Sequence, residues 1–378
     1  MYYKVITILL FCVMTFQVGA QKYKTVLPYR MVGGKMIVDL VMNGTSRSFI
    51  FDTGGRTALT GEICEELGLT VVDSLVVTDV NSKKAAYPLV SIESLMTPDQ
   101  KINFKHVSAM KLAKPSPFEC FHTDGLIGSD LLVRTIVEID GKNKTITITS
   151  AENPSTVVSL RKMLPFTKSG MPIILLQAGA GNNITALFDT GCPSFFSLKV
   201  SDYETLKTTG AFQVLSEGYG EGSIGVAGMA EADISHRVCL PVLSVGGTKF
   251  QNVTSETSTP PFTLLGVKLL DYGKVTLDYP RARFYFEANE AANDLSSKHY
   301  NVALRVKDGE LIISTVWSAM KGVVEVGDKV TRINGKPVRM YDFCESIVNG
   351  IPELKGKKKT RLTVQTKQGE KVIVYQKE

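Results

Sequence analysis

The chain has 378 residues, of which 44% are hydrophobic and 21% charged, an ordinary globular composition that excludes wholesale disorder. Its formal charge of +6 is modest. The densest basic run, Lys355-Gly356-Lys357-Lys358-Lys359, has no aromatic residues between its charges, so it reads as a solvated loop and not as a nucleic-acid surface.

Residues 1–20 read as a secretory signal: Lys4 precedes an apolar stretch from Val5 to Val18, and Val18-Gly19-Ala20 supplies small residues for cleavage near Ala20. The stretch is shorter than the roughly 20 residues that cross a bilayer, which argues against stable membrane insertion. Phe11 is too bulky for Cys12 to be a lipoprotein site. The expected location is secreted or periplasmic. Five cysteines follow the signal (Cys64, Cys120, Cys192, Cys239 and Cys344), an odd count without zinc-ligand spacing, and a disulfide such as Cys64 with Cys120 fits that compartment.

Residues 21–155 carry short β-branched runs broken by Gly, Asn and Pro. Lys35 to Met42, Asn43-Gly44, then Phe49 to Asp52 predicts a hairpin. A short helix is expected near Gly61 to Leu67. Residues 156–287 repeat the order: Met171 to Gln177, a turn over Gly179 to Asn183, Ile184 to Asp189, then a helix near Val200 to Lys207. A polar linker is expected over residues 288–300. The last unit, residues 301–378, has strands at Leu311–Val316, Lys329–Ile333, Arg361–Thr366 and Lys371–Tyr375, with a helix near Tyr341 to Val348.

The two larger units are copies. Asp52-Thr53-Gly54 and Asp189-Thr190-Gly191 each follow a Phe that ends an apolar run. Each is answered by two apolar residues and a Gly, in Leu126-Ile127-Gly128 and Leu264-Leu265-Gly266, at Asp-to-Gly spacings of 76 (52 to 128) and 77 (189 to 266). Beyond that Gly the copies run without a gap, Val137-Glu138-Ile139-Asp140 lying 138 residues before Val275-Thr276-Leu277-Asp278. A chance Asp-Thr-Gly is expected about 0.1 times in such a chain, so two copies in matched surroundings are a strong signal. The fold class this predicts is mainly β: two pseudo-twofold-related lobes followed by a small α+β unit.

An Asp on a turn closed by Thr and Gly has a chemical use. Gly lets the backbone bend so that main-chain N–H groups reach the carboxylate, and Thr offers a hydroxyl to lock the turn. Two such turns face to face bring two carboxyls together. Like charges that close resist double ionisation, so the pair holds one proton over a wide pH range. The ionised partner can take a proton from water while the other donates to a carbonyl, which is amide hydrolysis without a metal or cofactor.

These motifs, with Asp124-Gly125 leading into Leu126-Ile127-Gly128, resemble the aspartic proteases of the pepsin and retropepsin type, with the two lobes in one chain and short lobes in the bacterial style. The resemblance implies that Asp52 and Asp189 hold the lytic water and that Thr53 and Thr190 bond across the lobe interface. It also implies that the strands ending in Gly128 and Gly266 flank the two Asp, and that the substrate is an extended polypeptide. Hairpin flaps would lie near Asn81 to Val90, with Tyr87 as a flap aromatic, and at Glu217 to Gly228, where Gly220 and Gly222 would give mobility. Gly220-Glu221-Gly222-Ser223-Ile224-Gly225 also fits a dinucleotide-binding pattern, but the strand-turn-helix context is lacking. None of the four histidines (His106, His122, His236, His299) lies at ligand spacing from another.

The chain departs from the family where Ser or Thr usually follows Asp-Thr-Gly: here stand Gly55 and Cys192. That departure motivates the alternative of a peptide-binding scaffold that has lost turnover. The C-terminal unit resembles a PDZ domain through Gly327-Asp328-Lys329-Val330 and Ile333-Asn334-Gly335-Lys336-Pro337-Val338. This implies capture of a peptide or C-terminus at a sheet edge. The usual carboxylate-binding loop has only Asp308-Gly309-Glu310-Leu311 as its counterpart.

Overall fold

The computed structural model describes residues 23–78, 82–150, 163–167, 170–222, 224–225 and 228–377, so the segment read as a secretory signal lies outside the described residues. Among those described, no helix is long and apolar enough to cross a membrane.

Each lobe is organised by one hairpin. In the first, Lys35–Met42 pairs with Thr45–Asp52, and the turn residues Asn43 and Gly44 both have positive φ, 48° and 85°, as a two-residue turn of this twist requires. In the second, Ile173–Ala178 pairs with Asn182–Asp189. Both second strands then pair in parallel with the apolar strand that closes their lobe. Asp52 stands opposite Gly128 and Asp189 opposite Gly266. The short helices Gly61–Glu66, capped by the Thr60 side chain, and Val200–Leu206 lie after the two Asp turns.

The glycines are demanded by this crossing. A Cβ on Gly128 would lie 2.4 Å from the carbonyl carbon of Arg56, and one on Gly266 would lie 2.1 Å from the Ser194 carbonyl oxygen. The chain folds back through each turn so tightly that no side chain fits there.

The lobes join through Thr135–Asp140 and Gly273–Asp278, which run antiparallel with Glu138 opposite Thr276. The internal repeat equates those two residues, since they lie 138 positions apart, so the pseudo-twofold axis passes between them. Lys274 bridges Glu138 and Asp140 across the seam. One hydrophobic core runs under both lobes, with Val137, Ile139, Val275, Leu277 and Phe188 in it, and Phe188 meets Phe284 edge-on at 5.4 Å.

The C-terminal unit has its own core, including Val302, Leu311, Ile313, Val330, Leu362 and Val364. Its strands are Val302–Lys307, Glu310–Trp317, Lys329–Ile333, Lys336–Pro337, Lys359–Thr366 and Gly369–Gln376, and its helix is Phe343–Asn349. The strand Val302–Lys307 was not anticipated from its mixed pattern.

Several expectations are corrected here. The stretch read as a polar linker carries the strand Ala292–Asp294, which pairs with Lys249–Gln251, and Asn252 bonds the Asp294 carboxylate at 3.0 Å. These residues are mostly exposed and edge a sheet. Cys120 pairs with Cys344 and not with Cys64, whose thiol is buried on the first helix. That disulfide ties the C-terminal unit to lobe one. The unit also continues a sheet of lobe two: Gly218 and Gly220 on Gln213–Glu221 pair with Trp317 and Thr315.

The crossing makes a stability prediction. Gly266→Ala should destabilise the chain by about 3 kcal/mol or more, because the methyl group meets backbone that cannot rotate away. Thermal denaturation of the variant beside the parent measures this.

Candidate active site

The two Asp-Thr-Gly turns interlock. Thr53 Oγ1 donates to the Phe188 carbonyl at 2.7 Å and accepts from the Thr190 N–H at 3.1 Å. Thr190 Oγ1 reciprocates, donating to the Phe51 carbonyl at 2.7 Å and accepting from the Thr53 N–H at 3.0 Å. Both threonines have no solvent exposure. Four bonds therefore cross the lobe interface beneath the turns with every hydroxyl and N–H used. In a dry seam, losing one partner leaves another group orphaned at about 1–3 kcal/mol.

The interlocking sets the carboxyls. Gly54 N–H donates to Asp52 Oδ1 at 3.0 Å, and Gly191 N–H donates to Asp189 Oδ1 at 2.7 Å. Each Gly also lies against the opposite carboxyl. A Cβ on Gly54 would be 2.4 Å from Asp189 Cγ, and one on Gly191 would be 2.5 Å from Asp52 Oδ2. The two carboxyls are thereby brought together, close enough for the Asp52 charge to act on Asp189. This is a two-lobed, mainly β fold with one Asp turn from each lobe meeting at its centre.

No protein-family model and no curated protein matches the sequence. Among solved structures, the chain is similar to an aspartic proteinase from Irpex lacteus, at 10% identity and a TM-score of 0.43, over 71% of this chain and 98% of that one. It is also similar to a retropepsin-like aspartic protease from Rickettsia conorii, at 18% identity and a TM-score of 0.26, over 34% of this chain and 94% of that one.

The electrostatics are asymmetric. Asp189 is buried, whereas Asp52 is partly exposed. Burial first, and then the Asp52 charge, push the Asp189 carboxyl up to about 8, while Lys35 and the Gly191 N–H pull it back. Lys35 was missed by the sequence reading. It opens the strand after the Gly33-Gly34 turn, and its ammonium donates to the Gly191 carbonyl oxygen, placing a positive charge beside the dyad. Nothing in a lysine at a strand start announces that position. Ser129 and Tyr279 were missed for the same reason. Ser129 Oγ donates to the Thr53 carbonyl at 2.5 Å and meets Tyr279 OH of the other lobe at 2.9 Å. This is one more cross-lobe bond under the turns.

The two departures from the family pattern have visible consequences. A Cβ on Gly55 would lie 3.0 Å from Asp52 Cγ, so a hydroxyl there would reach a carboxylate that now has the Gly54 N–H but no side-chain donor from this position. The Cys192 thiol faces Ser194 Oγ at 3.1 Å, and burial followed by the Asp189 charge pushes it up. It therefore stays a neutral thiol beside the pair.

The stretches expected as flaps fall on hairpins in both lobes. The lobe-one hairpin is Val71–Thr78 with Lys84–Met96, and Tyr87 is buried in mid-strand opposite Leu75, away from the tip. Asn81 lies outside the described residues. Gly220 and Gly222 are not hinges of a free hairpin. A Cβ on Gly220 would lie 2.4 Å from the Ser314 carbonyl oxygen, and the Gly222 carbonyl accepts from Arg305 at 2.8 Å. The smallness of Gly220 admits the C-terminal unit, and a Cβ on Gly222 would meet Ala230. Among the described residues no cluster of His, Cys, Asp and Glu is arranged to hold a metal ion.

The raised Asp189 carboxyl predicts a pH-dependent stability. In the unfolded chain this group loses its proton near 3.9. In the folded chain it keeps the proton to higher pH, so its presence costs stability as pH climbs between those two values. Asp189→Asn, neutral throughout, should raise the melting temperature by about 3 °C or more at pH 8, and much less at pH 4. Calorimetry at both pH values checks the difference.

Proposed function

We propose that the chain is an aspartic-type endopeptidase that hydrolyses extended polypeptides, secreted or periplasmic after loss of its signal. The observation that supports this best is the pair of carboxyls brought together by twin interlocked turns. A pair holding one proton contains both an acid and a base. In this reading the buried Asp189 is the half that keeps the proton, and Asp52 serves as the base. Asp52 takes a proton from a water positioned between the carboxyls, and the hydroxide equivalent attacks the scissile carbonyl carbon. Asp189 gives its proton to the carbonyl oxygen, which leaves a neutral tetrahedral diol. Collapse of the diol moves a proton to the leaving nitrogen, breaks the C–N bond and restores the single shared proton.

The C-terminal unit is read as a PDZ-like module that positions substrate or a partner's C-terminus, on its strand-turn-strand around Asn334-Gly335. One specific observation favours a second reading, a peptide-binding scaffold without turnover. The carboxylate of Asp52 lacks a hydroxyl at Gly55, and Cys192 faces Ser194.

Cleavage of an unfolded protein substrate separates the two readings. Asp52→Asn and Asp189→Asn should each lower kcat/KM by about 10³-fold or more, since each removes half of the acid–base pair. Equal cleavage by all three proteins contradicts the dyad. Peptide binding with no cleavage at any pH supports the scaffold.

The pH–rate profile carries a second expectation. Activity should fall on the alkaline side as the pair loses its shared proton. Lys35→Met should move that limb to higher pH, because the ammonium that favours ionisation of Asp189 is gone.

A further inference from the structure

The C-terminal helix Phe343–Asn349 rests on the face of lobe one that bears the catalytic carboxylate. Side chains along a strand alternate between faces, so Ile50 shares a face with Asp52, while Phe49 and Phe51 point into the main core. Ile50 pairs with Leu126 as Asp52 pairs with Gly128. Ile50, Leu126 and Tyr87 form a separate apolar cluster on that face, and Phe343, Ile347 and Val348 of the helix pack against it.

Two further contacts place the helix beside the dyad. A Cβ on Gly33 would lie 3.0 Å from Val348 Cα, and one on Gly34 would lie 2.9 Å from Pro193, the residue after Cys192. One turn of backbone thus separates the helix from the second Asp loop. Lys35 at the end of that turn takes up the Gly191 carbonyl, a main-chain acceptor beside the carboxyls.

The helix is also fastened. Cys344 is bonded to Cys120, which belongs to the same apolar cluster. On the far side of the cleft the unit holds the lobe-two hairpin. Trp317 lies over Gly218 and under the Arg237 guanidinium at 3.9 Å, and Arg305 bonds Glu221 at 2.7 Å. The two hairpins touch as well, with the Lys83 ammonium donating to the Met229 carbonyl at 3.0 Å.

We propose that the C-terminal unit is an autoinhibitory bolt. Its helix covers the apolar floor that a substrate side chain next to the scissile bond would use, and polypeptide enters only when the helix undocks. This rests on the reading of the Asp pair as a hydrolytic site. The alternative is passive packing with the cleft open elsewhere, and it predicts no effect of undocking on ligand affinity.

The test uses the full chain in three forms: oxidised parent, parent treated with dithiothreitol, and the Phe343→Asp/Cys344→Ser variant. Reduction and substitution are independent routes to release, so misfolding of the variant does not decide the outcome. Hydrogen exchange over 343–349 reports whether the helix is free. Binding of a fluorescein-labelled statine hexapeptide, read by anisotropy, reports access to the dyad. Release should raise affinity at least tenfold and lower KM for an unstructured peptide by a similar factor, with little change in kcat. Affinity that stays within twofold while exchange shows the helix freed overturns the proposal. Equal hydrolysis by all three forms overturns it and leaves the endopeptidase reading standing. Tighter statine binding on release, without turnover in any form, supports the bolt and overturns the endopeptidase.

Discussion

The structure depends on one constraint: two turns that can approach only because each ends in Gly. With Gly54 on the Asp189 carboxyl and Gly191 on the Asp52 carboxyl, any side chain at either position would push the lobes apart. The threonine bonds below hold that approach in place, and the Ser129–Tyr279 contact adds a further cross-lobe tie. Forcing two carboxyls together under burial is unfavourable in itself. The crossed main-chain and hydroxyl bonds offset it, and the outcome is a group held far above its ordinary titration range. Stability and chemistry draw on the same few atoms.

The repeat was legible because each copy obeys the same local rules. An Asn-Gly turn between alternating runs marked the first hairpin, and the resemblance implied that the strands ending in Gly128 and Gly266 flank the two Asp, a placement that takes the form of parallel pairing. The cross-lobe strands follow from the same offset, since a pseudo-twofold axis must bring equivalent residues opposite each other. What stayed hidden depends on tertiary contacts that no local pattern encodes. Lys35, Ser129 and Tyr279 are ordinary residues until folding delivers them under or beside the turns. Cys64 with Cys120 was one possible disulfide among five cysteines, and the partner of Cys120 lies 224 residues away. The glycines of the lobe-two hairpin were read as freedom of motion. Gly220 turned out to be room for a neighbouring strand, an ambiguity intrinsic to glycine.

The lobes are equivalent in backbone plan and different in use. Lobe one presents the partly exposed Asp52 and the apolar cluster on its cleft face, and lobe two supplies the buried Asp189 and a hairpin joined to another sheet. The C-terminal unit touches both, by a disulfide on one side and strand pairing on the other. A module so attached is built into both lobes and is not a tethered appendage. Its docking breaks the symmetry that the sequence repeat implies.

The central claim is that the two carboxyls co-own one proton. A carbon-13 NMR titration of the Asp52 and Asp189 side-chain carboxyls in the intact chain tests it directly. The account predicts two widely separated steps, one carboxyl of the pair remaining protonated well above the ordinary carboxylate range. Two independent titrations near pH 4 would contradict it.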